Sequence, residues 1–390
     1  MTICLLSSAH QAFDKRVFMK EARSLAQAGF RVISIVPHDG RLPPTDGVTF
    51  ESYPPASGRL RRIWHCMRLL RIGMTITTDA YHCNELDSWA IGRILGWVRR
   101  AKVVFDVHEH YPGMVNARRF PAALVPLAVW IVRTYIHVLS RLTDLIVLSR
   151  EGLREEYRRA SRICVAANYA PLDGLQALEA GGPQDGNREE MLASGGFYAA
   201  AVGSFRRAAG WPELLESLTL VRYPEINLVV MGDILDGSRE EFTARVKELG
   251  LTDRIKWLGW LPYSVMLRCL ARCHVGLVLF QRWEMSHVHG FPHKMFDYMA
   301  AGIPVLVPSY AGEMCSIIED CKAGLAIDAS SPREIAQALE YLYEHPDERC
   351  QMGARGRDAV GRRYNWESEA KTLVQAYREL FSPFGLRDGR

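Results

Sequence analysis

At 390 residues the chain is long enough for two domains of ordinary size, and its apolar (48%) and charged (24%) fractions are those of a soluble globular protein rather than a disordered or fibrous one. Its nine cysteines form no Cys-x-x-Cys pair and no zinc-like spacing, which excludes a zinc module and fits buried, reduced thiols in a cytoplasmic protein. The net charge of +4 hides an asymmetry: residues 1–170 hold 24 Lys and Arg against 14 Asp and Glu, while the remainder is acidic.

The basic first half suits an anionic partner, either a membrane surface or a phosphate-bearing acceptor, and it also fits a solvated surface with no partner. Nucleic acid is not among the partners expected. The first strand is expected at 2–6, with no signal peptide before it. An amphipathic helix at 17–28, closed by Gly29, and a strand at 31–36 follow. Next come a helix at 60–72, a short strand at 80–82, a helix at 86–99 and a strand at 102–107. A helix at 124–141, a strand at 144–148, a helix at 151–159 and a strand at 162–166 complete the half. Residues 120–132 form the most apolar run, but two prolines and about thirteen residues are short of the ~20 a spanning helix needs, so a buried or interface-lying helix is expected.

Residues 171–196, rich in Gly, Ala, Glu and Asp, read as a linker. Strands then recur at 197–202, 227–231, 255–258, 275–280, 304–307 and 325–327, with helices between them and a helical tail at 346–381 broken near Asn365. Strands alternating with helices in both halves predict an α/β chain of two Rossmann-like, doubly wound parallel-sheet domains facing across a cleft, at 1–170 and 197–363. In such sheets chemistry sits in the loops after the strands.

One segment concentrates the signals: Pro292-His-Lys-Met-Phe-Asp-Tyr-Met-Ala-Ala-Gly-Ile-Pro-Val305. Pro292 suits a helix start, Gly302 a C-cap, and Pro304 forbids continuation into the next strand. Lys294 and Asp297 share one face near the helix N-terminus, whose free N–H groups and partial positive charge suit a phosphate. The run resembles the donor-sugar motif of GT-B glycosyltransferases, particularly glycosyltransferase family 4, with Asp297 in place of the usual glutamate. The resemblance extends to Glu21-Ala-Arg-Ser-Leu-Ala-Gln-Ala-Gly29 and to the Asp-x-His-Glu pattern of Asp106, His108 and Glu109.

The resemblance implies a retaining transferase that moves a sugar from a nucleotide-diphosphate donor, UDP in preference to GDP, to a hydroxyl of a glycan or lipid-linked acceptor in bacterial polysaccharide or glycoconjugate synthesis. It implies no bound metal or other cofactor, and no Asp-x-Asp motif is present. His108 and Asp14 are the expected catalytic groups, with His10, Arg16 and Glu109 at the acceptor. Arg206, Arg207, Lys294, Asp297, Gly312 and Glu313 are expected at the donor. Residues 364–390 are expected to cross back to the N-terminal domain. The pattern departs from the family in three places: the opening loop at Ser7–Arg16 lacks its glycines, Ala209-Gly210 replaces the basic-Gly pair, and His289 stands where a first glutamate is usual. A zinc set of His287, His289 and His293 lacks a completing ligand at usual spacing. Asp87 reads as a helix cap, with Glu85 or Asp87 alternatively on acceptor hydroxyls. The helix beginning near Leu60 carries Leu60, Ile63, Trp64, Met67 and Leu70 as one stripe among arginines, which suits either core packing or an anionic membrane at the inner face. The competing functions are a nucleotide-sugar 2-epimerase of the same fold and a non-catalytic partner subunit.

Overall fold

A computed structural model describes residues 1–58, 60–115, 121–172, 192, 195–284 and 292–382. Most of the expected linker, as well as His287 and His289, lies outside the described residues. The chain divides into two compact units, Met1–Asn168 with Trp366–Arg390, and Tyr169–Asn365.

The first unit is built on seven parallel strands in the order β3-β2-β1-β4-β5-β6-β7. They are β1 (Thr2–Leu6), β2 (Arg31–Pro37), β3 (Val48–Tyr53), β4 (Ala80–Cys83), β5 (Lys102–Val107), β6 (Leu145–Leu148) and β7 (Ile163–Val165). Alternate residues of β1 enter different buried clusters, Ile3 and Leu5 one, Cys4 and Leu6 the other, as expected of a strand covered on both faces. One face carries α1 (Arg23–Gln27) and the C-terminal helix Trp366–Phe381, whose Trp366, Leu373, Tyr377 and Leu380 join that cluster. The other carries α2 (Arg61–Thr75), α3 (Leu86–Arg99) and α5 (Val125–Arg141), with the single turn α4 (Tyr111–Met114) before α5.

Several expectations need correction here. The sequence shows no signal for strand β3: it is an edge strand that buries Val48 and Phe50 on one face and, on the other, only Tyr53 at its end, flanked by Gly- and Pro-rich turns. The helix expected from Val17 opens as a wide π-helical turn, Val17–Ala22, in which the N–H groups of Met19 and Glu21 reach back to the carbonyls of Asp14 and Arg16 at 3.1 and 3.0 Å. The helix expected at 151–159 is a 3-10 segment, Glu151–Tyr157. In α2 the buried residues are His65, Leu69 and Gly73, so Leu60, Ile63 and Met67 of the apolar stripe point outward. In α5 only Ile136 and Ser140 are buried. With its preceding turn the helical stretch Ala122–Arg141 is 20 residues, long and apolar enough to cross a membrane.

The second unit has six parallel strands in the order β10-β9-β8-β11-β12-β13: β8 (Phe197–Ser204), β9 (Ile226–Asp233), β10 (Ile255–Trp257), β11 (Val275–Leu277), β12 (Val305–Pro308) and β13 (Gly324–Ile327). Its helices are α6 (Trp211–Leu220), α7 (Arg239–Glu248), α8 (Tyr263–Ala271), α9 (His293–Ala301), α10 (Gly312–Cys321), α11 (Pro332–Glu344) and α12 (Pro346–Arg362). Pro292 precedes α9 as its N-cap rather than sitting in the first turn. Gly302 closes α9 in the left-handed region (φ 76°), where a residue without Cβ is favoured. The Tyr298 hydroxyl accepts the Val202 N–H (3.0 Å) and donates to the Leu277 carbonyl (3.3 Å), tying β8 to β11. The strand order reverses once per sheet, between β1 and β4 and between β8 and β11. These are the points where the loops part and leave a crevice for a ligand.

Candidate active site

In the first unit the loop after β1 is shaped by a carboxylate. Glu85, just past β4, accepts the N–H groups of Ser8 (3.0 Å), Ala9 (2.9 Å) and His10 (3.2 Å). A glycine-bearing loop would aim such amides at a phosphate. Here a protein anion takes them, which gives a physical reason for the missing glycines. Asp87, expected as the helix cap, lies instead in the first turn of α3, whose N-cap is Glu85; it accepts the Ser88 N–H (2.9 Å), and it also binds the Ser8 hydroxyl (2.7 Å) and Arg62 (2.8 Å).

Asp14 accepts the N–H groups of Arg16 (2.8 Å) and Val17 (2.9 Å) and so opens the π-helical turn, while its other oxygen meets His10 Nδ1 at 3.3 Å. The His10 ring stacks on His108 with centroids 4.7 Å apart. His108 Nε2 lies 2.5 Å from Asp106 Oδ2. Three residues expected at the chemistry, His10, Asp14 and His108, are therefore neighbours. Burial disfavours the charged form of His10, but the Asp14 hydrogen bond and the charges of Glu85 and Asp14 raise its pKa above the ordinary histidine value. Burial likewise works against Asp14 as an anion, and the His10 bond and charge override it, holding the carboxyl far below its usual range. Glu109 is exposed at the end of the same strand loop.

Arg16, expected at the acceptor, is instead turned inward and buried. It makes a two-pronged contact to Asp106 (2.9 and 2.6 Å), binds Glu21 (3.0 Å), and donates to the Ala166 carbonyl (3.0 Å). Burial raises the Asp106 pKa and Arg16 and His108 more than reverse this, leaving it well below the usual carboxylate value. Beyond Glu21 lies His82 at 3.2 Å, and beyond that the Tyr377 hydroxyl of the C-terminal helix at 2.5 Å. Glu21, His82 and Asp106 bring ligand-type atoms within 4.8 Å of one another, the set among the described residues that has metal-like spacing. The Arg16 guanidinium already bridges both of its carboxylates, so this donor set does not fit a metal ion.

A cavity of about 590 Å³ opens beside the loop, lined by Ser8, Phe13, His38, Arg61, Arg62 and His65 among others. His65 spans its wall, with Nδ1 2.7 Å from the Ser8 carbonyl and Nε2 accepting the Ala56 N–H at 2.9 Å. Ser8 and Phe13 belong to the opening loop of the family resemblance, while His38, Arg61, Arg62 and His65 are not among the expected site residues. The signal was available in the basic, acid-free start of α2.

In the second unit the loops after β8 and β11 flank the N-terminal end of α9. Asp297 is buried and accepts the Tyr263 hydroxyl at 2.9 Å. Lys294 Nζ lies 5.6 Å from the centre of the Phe280 ring, in the loop after β11. Burial, then the neighbouring Arg206 charge, pushes its pKa down to about 8, against a weaker opposing pull from Asp297. The structure thus brings Arg206, Lys294 and Asp297 together. Arg206 is exposed, its Nε bonded to the Ser204 hydroxyl at 2.7 Å. Arg207 departs from expectation: it pairs with Glu241 and lies 5.3 Å over the Trp211 ring, directed to α6 and α7. Gly312 opens α10 exposed, and Glu313 follows it half-buried in the first turn.

A family model described as glycosyl transferases group 1 matches residues 185–359, and one described as glycosyltransferase family 4 matches 15–169. The chain is 29% identical over 188 residues to D-inositol 3-phosphate glycosyltransferase of Corynebacterium urealyticum, covering 46% of this chain and 42% of that protein. It is 26% identical to a GDP-mannose-dependent monoacylated phosphatidylinositol monomannoside mannosyltransferase of Corynebacterium glutamicum, covering 39% and 38%. These matched stretches span less than half the length of either relative. Among solved structures, HepE of Anabaena in complex with UDP aligns at a TM-score of 0.68 with 14% identity over 97% of this chain and 99% of that one. Sucrose-phosphate synthase of Thermosynechococcus elongatus aligns at 0.73 with 17% identity over the same shares. At such identities the likeness establishes the GT-B fold alone.

Proposed function

We propose, for a chain that belongs to the group 1, family 4-like glycosyltransferases of GT-B fold, transfer of a sugar from a nucleotide-diphosphate donor to a hydroxyl of a glycan or lipid-linked acceptor. The observation that carries the reading is the placing of Lys294 in the first turn of α9 against the Phe280 ring of the loop after β11, with Asp297 one turn along the same helix and Arg206 in the loop after β8, beside the strand-order reversal of the second unit. Two cations and a helix N-terminus suit a diphosphate, whose negative charge grows as its bond to the sugar breaks. Asp297 suits the ribose hydroxyls as an acceptor.

Transfer forms the bond from the acceptor oxygen to the anomeric carbon and breaks the bond from that carbon to the diphosphate. The acceptor proton passes to the leaving phosphate. Attack on the same face retains configuration, and no carboxylate among the described residues is placed as an obvious covalent nucleophile. His108, with His10 and Asp14 beside it, suits sugar hydroxyls near the reacting carbon. The arginine-lined cavity beside α2 suits an acceptor bearing phosphate; a relative's name specifies inositol 3-phosphate. UDP is favoured, being the nucleotide held by HepE. No metal is needed in this scheme, and a cytoplasmic protein working at the inner face of the membrane is proposed.

The test is thermal stability against UDP, GDP, ADP, CMP and their sugars, with Lys294→Ala and Asp297→Ala beside the parent. A ligand that binds the folded state raises Tm by mass action. A shift with one diphosphate, lost in both variants, supports the reading and identifies the base. No shift with any nucleotide refutes it in favour of a non-catalytic subunit.

A further inference from the structure

We infer that the outward face formed by α2, α3 and α5 docks on an anionic phospholipid bilayer. This deepens the lipid-linked acceptor reading, yet it stands on its own residues. The three helices lie on one face of the first sheet: Leu69 of α2, Trp89 and Leu95 of α3 and Ile136 of α5 share one buried cluster. Trp89 and Tyr135 rings are in edge contact at 6.1 Å, joining α3 to α5.

The opposite sides of these helices are apolar where a soluble surface is usually polar. Ile63 and Met67 of α2, Trp97 of α3, and Leu127, Trp130 and Ile131 of α5 are all exposed, Trp97 at 80% and Trp130 at 63%. Exposed apolar groups spread over three adjacent helices mark an interaction site rather than scattered surface residues. The charge says what covers it. The three helices carry eight arginines (61, 62, 68, 71, 93, 99, 133 and 141) and one acid, Asp87, which is bound to Arg62. Among the acids bordering them, Glu85 at the start of α3 is taken up by the amides of Ser8, Ala9 and His10, and in the 3-10 segment against α5 Glu156 pairs with Arg133 and Glu151 with Arg154. Apolar and tryptophan groups framed by arginines suit the headgroup boundary of an anionic membrane.

A second copy of the chain is disfavoured as the occupant, because two such basic faces repel. A spanning role for Ala122–Arg141 is disfavoured as well. Its inner edge is tied to the unit by buried Ile136 and by the Tyr135 hydroxyl, which donates to the Leu86 carbonyl at 2.5 Å. The helix therefore lies flat. Helix α2 also supplies Arg61, Arg62 and His65 to the 590 Å³ cavity, so docking brings that cavity to the lipid headgroups.

The experiment is vesicle flotation of the full chain with phosphatidylcholine alone and with added phosphatidylglycerol, at low and high salt. The parent should float with the anionic vesicles only, and less at high salt. Arg68→Gln and Arg71→Gln should each weaken partition about fivefold. Trp97→Ser with Trp130→Ser, both at exposed positions, should lose most of the bound fraction while circular dichroism stays unchanged. The docking is overturned by equal flotation on neutral vesicles, by variants that float like the parent, or by a dimer in sedimentation that the tryptophan variant converts to monomer. Nucleotide-induced Tm shifts are read alongside. A parent that floats without any shift supports docking and counts against the donor reading, whereas a shift without flotation overturns docking alone.

Discussion

Replacing Asp106 by Asn tests whether the first unit's site rests on a buried charge network. The substitution keeps shape but removes the charge that faces Arg16 at 2.6 and 2.9 Å and His108 at 2.5 Å. Arg16 and Asp106 are buried, so the guanidinium would keep Glu21 as its bonded carboxylate, with the Ala166 carbonyl and one neutral amide oxygen beside it. Breaking a buried pair by removing one partner costs about 3–5 kcal/mol. At about 2–4 °C per kcal/mol for a unit of this size, the first unit's melting temperature should fall by roughly 10 °C at pH 7. The sign with pH is specific. The Asp106 carboxyl is held well below its usual value, so its contribution is present above the unfolded value of about 3.9 and is lost as pH falls through the lower folded value. Melts of parent and variant should therefore converge toward acid pH. His108→Gln removes a group nearer the rim and should cost less than ~1 kcal/mol while abolishing transfer. A loss below ~1 kcal/mol for Asp106→Asn at pH 7, or a gap between parent and variant that fails to narrow as pH falls below ~4, would refute the network.

Lys294→Met should weaken nucleotide diphosphate binding about tenfold or more in isothermal titration, from the loss of a charge-assisted hydrogen bond of ~1.5–3 kcal/mol. Because the Lys294 pKa is lowered to about 8, parent affinity should also fall as pH rises from 7 to 9, with a flat profile in the variant. Ligand-free stability should move the other way: a lysine whose folded pKa is depressed gains stability as pH climbs from 8 toward its unfolded value of ~10.4. Gly353→Ala would place a Cβ 1.9 Å from the Gly302 carbonyl oxygen, forcing α12 off the end of α9. A loss of ~1–3 kcal/mol in denaturant titration is expected. The paired control, Gly312→Ala, meets nothing within 4 Å and should leave ligand-free stability unchanged; equal losses would discredit the packing argument.

The alternation of apolar runs with helical periodicity made both sheets legible, because parallel strands buried on two faces read as continuous apolar segments. β3 was missed as an edge strand with one polar face. Residue type located the groups at strand ends, Asp106 at the end of β5 and His108 just after it, and Lys294 and Asp297 in α9. Direction was harder to read. Arg16 and Arg207 stand in the motif positions yet point inward and sideways, since the π-helical turn and Glu241 decide where each guanidinium goes. Glu85 was considered only for acceptor hydroxyls, because three amides converging on one carboxylate is a property of loop shape that no spacing shows. The apolar stripe of α2 admits two readings in the sequence for a related reason: helical periodicity shows that a face is apolar without showing whether anything covers it.

The perturbed groups of the two units differ in the sign of the charge around them. In the first unit the amides after β1 close on Glu85, and His10 is raised because carboxylates surround it. That field is negative, and it favours cations and hydroxyl donors such as those of a sugar. In the second unit the sign reverses: Lys294 is lowered by burial and by Arg206, so the ammonium sits in an excess of positive charge that Asp297 does not balance. Binding a diphosphate there would relieve that excess and return the lysine toward its ordinary pKa, whereas binding one at the loop after β1 would have to displace Glu85. The proton balance of nucleotide binding follows from this difference. Above pH 8, where the free lysine is largely neutral, binding at the second unit should take up a proton from solution. Titration in buffers of different ionisation enthalpy would detect that uptake. Its absence in the parent at pH 8.5 would place the diphosphate away from Lys294 and remove the physical basis for assigning the donor to this end of the chain.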